Sequence, residues 1–335
     1  MKFYLASIFM VIFCFTHAMP ALSNDEPISP IQAPKLIDLG MVELGKKLFY
    51  ERRLSPSGHL ACNSCHNISM GGVDNLQFSV GYKWQQGTIN TPTVLNSSLN
   101  FTQFWNGRAA TLQEQAGMPL ENPIGMASSH SITINVLKTI PGYVTEFKQV
   151  FGDSEITMDK VTAAIAEFEM TLVTPDSPFD RWLLGDKQAI SQYALSGYQL
   201  FKKVGCSTCH NGPGVGGQTL QKLGLVEPYE TTHPARGKAD ITGKTEDENV
   251  YKVPLLRNIE LTPPYFHDGA VNTLEEAVTI MARVQLGIKF KDDEAARIVA
   301  FLKTLTGRQP VFPLPTLHPS GPDTPRPQPF REDGS

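Results

Sequence analysis

The sequence predicts a mainly α-helical chain folded as two small helical domains of one plan, each with long irregular loops. Three observations predict this. A five-residue motif occurs twice, as Cys62-Asn63-Ser64-Cys65-His66 and as Cys206-Ser207-Thr208-Cys209-His210. A set of further positions recurs at a constant displacement of 162 residues, as from Pro92 to Pro254. Apolar residues fall at three- and four-residue spacings in several segments, whereas strand patterns are few.

Each motif is C-x-x-C-H, the attachment signature of c-type haem. Its two thiols suit thioether bonds to the vinyl groups, and the adjacent His falls beneath the iron as proximal ligand. A zinc site assembled from the two C-x-x-C pairs, or a redox dithiol, is the competing chemistry. Two copies that use every cysteine of an exported chain favour haem. Two covalently bound haem c groups are therefore expected, on Cys62, Cys65 and His66 and on Cys206, Cys209 and His210.

Export is read from residues 1–23. Lys2 gives a short positive start, Phe3 to Phe15 is almost wholly apolar, and Ala21-Leu22-Ser23 offers a cleavage site. The fifth cysteine, Cys14, leaves with this segment. The expected compartment is the periplasm, reached through a cleavable signal peptide. The formal net charge is −4 and no basic run occurs, so nucleic acid is not an expected partner.

The expected plan is an amino-terminal domain over 24–175, a carboxy-terminal domain over 176–308 and a tail over 309–335. Each domain is cytochrome c-like and carries one haem. Helices are expected over Lys35 to Tyr50, Met158 to Leu172, Ile190 to Lys203 and Asp292 to Leu305. Val173 to Phe179, with two prolines, reads as the linker. Gln309 to Ser335 holds eight prolines and reads as extended rather than packed.

The internal repeat pairs Pro92, Asn96, Leu99, Phe104 and Gly107 with Pro254, Asn258, Leu261, Phe266 and Gly269. Thr111 and Leu112 recur as Thr273 and Leu274, and Gly45, Leu48 and Phe49 are echoed by Gly197, Leu200 and Phe201. The halves differ at one telling position: Met281 stands where the first half has Pro119. A thioether is a good sixth ligand to haem iron and raises its potential, whereas proline cannot coordinate through its side chain. An isolated methionine would read as core filler. Downstream of a C-x-x-C-H motif, Met281 reads as a ligand of the second iron. The second haem is thus expected to be closed and suited to electron transfer, the first potentially open.

The chain resembles the bacterial di-haem cytochrome c peroxidases over nearly all of the exported sequence. The segments that carry the resemblance are Cys62 to Gly72, Phe104 to Arg108, Leu172 to Asp180, Pro254 to Asn258 and Leu261 to His267. It implies reduction of hydrogen peroxide to water at the first haem, electrons from a small cytochrome c or copper protein, and a homodimer. It implies a calcium ion held by the Asn90 side chain and the carbonyls of Thr262 and Pro264. It places Trp105 on the electron path, where a purely packing role is the bland alternative. Phe104, Gln115 and Pro119 match the distal pocket.

Two positions depart from the family. Tyr82 stands where a loop histidine caps the resting first haem, and a phenol can ligate iron or simply fill the pocket. Gly125 stands where an acid–base glutamate is expected, and glycine moves no proton. Glu114 and Glu121 lie nearby in sequence and read as surface carboxylates. A peroxidase with an atypical distal pocket is the leading reading. A di-haem electron carrier or redox sensor is the first alternative. A protein-oxidising di-haem maturase is the second, against which Met281 counts because that branch replaces the methionine by tyrosine.

Overall fold

Asp38 starts the first helix by accepting a hydrogen bond from Met41 N at 3.0 Å, so α1 runs Leu39–Phe49. The computed structural model describes residues 26–32, 38–291 and 293–328; the expected signal segment and Lys35 to Ile37 lie outside them. The first motif forms a single turn, α2 (Cys62–Cys65), followed by α3 (Leu112–Glu121), α4 (His130–Lys138), α5 (Pro141–Phe151) and α6 (Met158–Met170). A short α7 (Pro178–Leu183) leads into α8 (Gln192–Lys203), which precedes the second motif. Then come β1 (Leu220–Lys222), α9 (Ala239–Thr242), β2 (Val250–Lys252), α10 (Leu274–Leu286) and α11 (Glu294–Lys303). The strands pair antiparallel, Leu220 opposite Lys252.

Each half is built on one helix crossing, which explains the echo at Gly45 and Gly197. α1 crosses α6 so closely that a Cβ on Gly45 would lie 1.8 Å from the Ala164 carbonyl oxygen. α8 crosses α11 in the same way, with a Cβ on Gly197 falling 1.9 Å from the Arg297 carbonyl oxygen. Phe49 then packs edge-on against Phe168 at 5.4 Å, and Phe201 meets Phe301 at 5.2 Å. Only glycine permits these backbones to touch. α4 and α5 have no counterpart among the described residues of the second half.

The middle of the repeat is equally faithful. Phe104 and Phe266 both take left-handed φ, 65° and 66°, as do Asn96 and Asn258 at 60° and 61°. α3 and α10 are capped alike, Thr111 accepting from Glu114 N and Thr273 from Glu276 N. Pro119 and Met281 are therefore the eighth residues of equivalent helices.

The expected linker is shorter than its prolines suggested: residues 173–177 carry no regular structure, Pro178 already opens α7 at its first position, and the stretch is a largely buried seam of the molecule. Thr174 donates its amide to Asn96 Oδ1 at 2.8 Å, and its hydroxyl accepts from Asn96 Nδ2 and from Asn258 Nδ2. Arg257 is fully buried and pairs with Asp180 at 2.7 Å while donating to Ser177 Oγ and to the Pro213 carbonyl.

The terminal segments trade places, which alters the expected boundaries. Residues 26–32 belong to the second half in packing: Ile28 joins its core and Gly212 N donates to the Pro27 carbonyl at 2.8 Å. The tail over 309–328 has no regular structure, but it is laid against the first half. Phe312 packs edge-on against Phe168 at 5.6 Å, and His318 Nε2 reaches Glu146 at 2.6 Å. Arg53 donates to the His318 carbonyl, and Gln328 N to that of Pro56. Proline removes donors and fixes φ, so it forbids a helix without forbidding packing. Ending the chain after Arg308 should cost about 2 kcal/mol, chiefly the burial of Phe312. Thermal unfolding should show the loss; an unchanged midpoint would mean that the tail contributes nothing.

Candidate functional site

The first motif opens onto a cavity of about 560 Å³. The α2 turn brings Cys62, Cys65 and His66 to it, α3 brings Gln115 and Pro119, and the strained turn after Gln103 brings Phe104 and Trp105. Gly125 lines it from the segment after α3, and Gly81 from the loop that covers that segment. From α6 come Ile165 and Glu169. The cavity reaches across the seam to His233 and Asp240 of the second half.

The chemistry of the motif residues fits haem better than zinc. Burial pushes the Cys62 and Cys206 thiols up to about 12, so both are neutral thiols as they stand. The two motifs lie in different halves, and no cluster of three or more His, Cys, Asp or Glu suited to a metal ion occurs among the described residues. Burial lowers both His66 and His210, the latter to about 4, so each imidazole is neutral and has a lone pair to give. His210 Nδ1 lies 3.3 Å from the Val215 carbonyl, which makes it the protonated nitrogen and leaves Nε2 for iron. His66 Nδ1 is buried without a partner at hydrogen-bond geometry, although the carbonyls of Gly72 and Pro92 offset part of the effect of burial.

Lys252 is a buried cation of the second half. Its side chain is buried, burial lowers it to about 8, and no carboxylate pairs with it among the described residues. A buried cation without a protein counter-charge is costly. Its backbone N donates to the carbonyl of Trp105 at 2.7 Å, and Trp105 lines the first cavity whereas Lys252 does not.

A family description of the di-haem cytochrome c peroxidases matches residues 40–188. The chain is 59% identical over 309 residues to the cytochrome c551 peroxidase of Nitrosomonas europaea, covering 92% of each chain. The chain belongs to the di-haem cytochrome c peroxidase family. It is also 45% identical over 290 residues to the cytochrome c551 peroxidase of Pseudomonas aeruginosa, 85% of this chain and 84% of that one. A solved structure described as a MauG-like protein associated with microbial copper homeostasis superposes with a TM-score of 0.72 at 28% identity, over 84% of this chain and 93% of the other. As a member of this family the protein is an oxidoreductase whose cofactors are haem c. No helix among the described residues is long and apolar enough to cross a membrane.

Of the residues singled out in the sequence, Phe104, Trp105, Gln115, Pro119 and Gly125 converge on the first cavity of this family member. Tyr82 is not among the lining residues. Its backbone N donates to the carbonyls of Ile124 and Gly125, and its ring packs against the core of the first half. Glu114 and Glu121 face away: Glu114 accepts from Ala110 N, and Glu121 lies 3.6 Å from His130. Trp105 is tied to both halves, donating Nε1–H to the Asn90 carbonyl at 2.8 Å and stacking edge-on near Tyr251 and His267. Met281 is half-buried on α10. Asn90 is buried, and its amide donates to the carbonyls of Leu76 and Gln77, which turns Oδ1 away from them. Asn75, beside them, holds the carbonyls of Leu261 and Pro263, so Asn90 and the 262–264 segment are anchored on one short stretch.

Among the buried polar residues to which the sequence assigned no role are Glu169, Lys252 and His267. His267 is 2% exposed with neither ring nitrogen hydrogen-bonded, and lies flat on Tyr251 at 4.5 Å. Periodicity shows where a side chain is buried but not whether the buried group is polar. The comparison of halves would have found Glu169, had its second register been seen.

Proposed function

We propose that the protein reduces hydrogen peroxide to water at the haem of the first half, drawing electrons through the second haem from a small cytochrome c or copper protein in the periplasm. The observation that carries this is the asymmetry of equivalent helices: Pro119 lines the first cavity at the address that Met281 occupies on α10. Haem iron, when bound, supplies an open coordination position and the redox couple for splitting the peroxide bond. Gln115 is placed to orient peroxide by hydrogen bonds, and Phe104 and Pro119 narrow the space above it. Trp105, bonded to Asn90 on one side and to Lys252 on the other, bridges the halves along the electron path. A calcium ion on Asn90, Thr262 and Pro264 would stiffen that junction, since oxygen-only donors suit it. We take the working form to be a homodimer.

The test is peroxide consumption by the half-reduced protein with a reduced small cytochrome as donor. Turnover at rates of at least about 1 per second supports the reading. Its absence, with both haems in place and calcium present, would favour the electron carrier or redox sensor, a reading that the missing carboxylate at Gly125 keeps alive. Calcium removal provides a further prediction. A chelator should lower the rate at least about tenfold and change the absorption of the first haem, and calcium should restore both. Equal rates with chelator and with excess calcium would remove the ion from the assignment.

A further inference from the structure

Glu169 stands out among the groups that the reaction above does not use. It is 6% exposed, lines the first cavity from α6, and its Oε2 is buried with no hydrogen-bond partner. The equivalent position of the second half holds no such group. α6 and α11 correspond with a displacement of 133 residues: Ala164 with Arg297 at the glycine crossings, Phe168 with Phe301, and Leu172 with Leu305, whose carbonyls accept from Asn96 N and Asn258 N. In that register Glu169 corresponds to Leu302, a buried member of the second core. A carboxyl therefore replaces a leucine on the haem-facing wall of one half only.

No cation among the described residues pairs with it. Of the titratable groups that line the same cavity, Arg108 stacks on the Phe104 ring at 3.3 Å and donates to Asn106, His233 is held at the Thr88 carbonyl, Asp240 accepts from Arg236 N, and His66 is neutral. α1 packs on α6, and there Lys46 pairs with Glu43 and Lys47 with Glu146. On α3, Glu114 caps the helix and Glu121 faces His130. On α6 itself Lys160 pairs with Asp153, and Asp159 and Glu167 complete the charged residues. The turn at Ser97–Leu99 has none, and of the first motif's titratable groups Cys62 ceases to titrate once it is a thioether. Among the described residues of the tail, Phe312 packs against Phe168. Burial alone raises the carboxyl, to about 8, so it exchanges its proton within the working range.

We propose that Glu169 is the proton-holding group of the first haem, taking one proton onto its carboxylate for each electron that arrives on that haem. The electron comes from the second haem and the proton from solvent. One O–H bond forms on Glu169, and the charge of the buried wall and haem together stays constant. An added negative charge in a medium of low dielectric is otherwise unfavourable, so each event favours the other. The inference rests on the haem of the first half and needs no peroxide.

The test is spectroelectrochemical titration of the complete di-haem protein from about pH 6 to about pH 10, reading each haem by its own absorption. In the wild type, the electron affinity of the first haem should fall about tenfold per pH unit above about pH 8, where the carboxyl has lost its proton before the electron arrives, and level off below it, where the proton is already in place. Glu169→Gln should flatten that dependence and leave the second haem as it was. Glu169→Leu, which copies Leu302, serves should the amide fail to fold. Reduction of the wild type should also produce the infrared band of a protonated carboxyl, absent from either variant. A wild type without pH dependence, a variant that keeps it, or a spectrum without the band would overturn the proposal. Because no readout uses peroxide, such a failure is distinct from a failure of peroxide turnover.

Discussion

A glutamate at position 125 should raise the rate of peroxide consumption by about 10²-fold, the lower end of what a positioned proton-transfer group contributes. Breaking the peroxide bond unevenly needs a proton moved from the near oxygen to the leaving one, and Gln115 can orient but not carry it. The site has room for the change. The three nearest atoms that a Cβ on Gly125 would meet belong to the Asn122 side chain, at 3.3 to 3.5 Å, which a small shift of that side chain relieves, and Gly125 already lines the cavity. The loop that covers it is held through the Gly125 carbonyl by Tyr82 N, a contact that a side chain does not remove. Glu121→Gln and Glu114→Gln should do little, since both carboxylates lie outside the cavity with partners of their own. Stopped-flow mixing of half-reduced protein with peroxide reads the rate directly. A folded Gly125→Glu protein with an unchanged rate would mean that another group already moves the proton or that proton transfer does not limit the reaction.

What the sequence made legible was whatever repeats or recurs with a fixed spacing. The motifs and the correspondence of Pro119 with Met281 follow from spacing, and the four expected helices appear as α1, α6, α8 and α11, whereas α3, α4, α5, α7 and α10 were not among those expected. The glycines of the crossings were legible as echoes, but their reason is a backbone approach that only three dimensions show. Tyr82 was placed by alignment with a ligand, whereas its own bonds hold it to Ile124 and Gly125 at the cavity's margin. The exchange of terminal segments was not legible, because composition says that a proline-rich chain is extended and nothing of what it lies against. Glu169 was hidden for a different reason. The displacement between halves drops from 162 to 133 once α4 and α5 are inserted, so the pairing with Leu302 falls outside the register that the central repeat establishes.

Replacing Met281 by leucine should lower the potential of the second haem by on the order of 0.1 V, a modest part of the roughly 0.8 V that axial ligands span. That is about 2.3 kcal/mol, or roughly 50-fold in electron affinity. Leucine keeps the volume and helix propensity of a half-buried position on α10, so the fold should survive and the effect should be chemical. The methionine-to-iron absorption should vanish with the sulfur. Turnover with a reduced donor should fall by a similar factor, because electrons enter where affinity has been lost, while a protein reduced beforehand should react with its first equivalent of peroxide at the original rate. The converse substitution probes the same asymmetry from the other side. Pro119→Met restores the amide hydrogen that proline denies to α3 and offers a sulfur at the matching helical address. It should close the first haem, abolish peroxide consumption and give that haem the methionine absorption. A Met281→Leu protein that kept its potential and spectrum would assign the sixth ligand of the second haem to another residue, and the two halves would no longer differ in the way that the reaction requires.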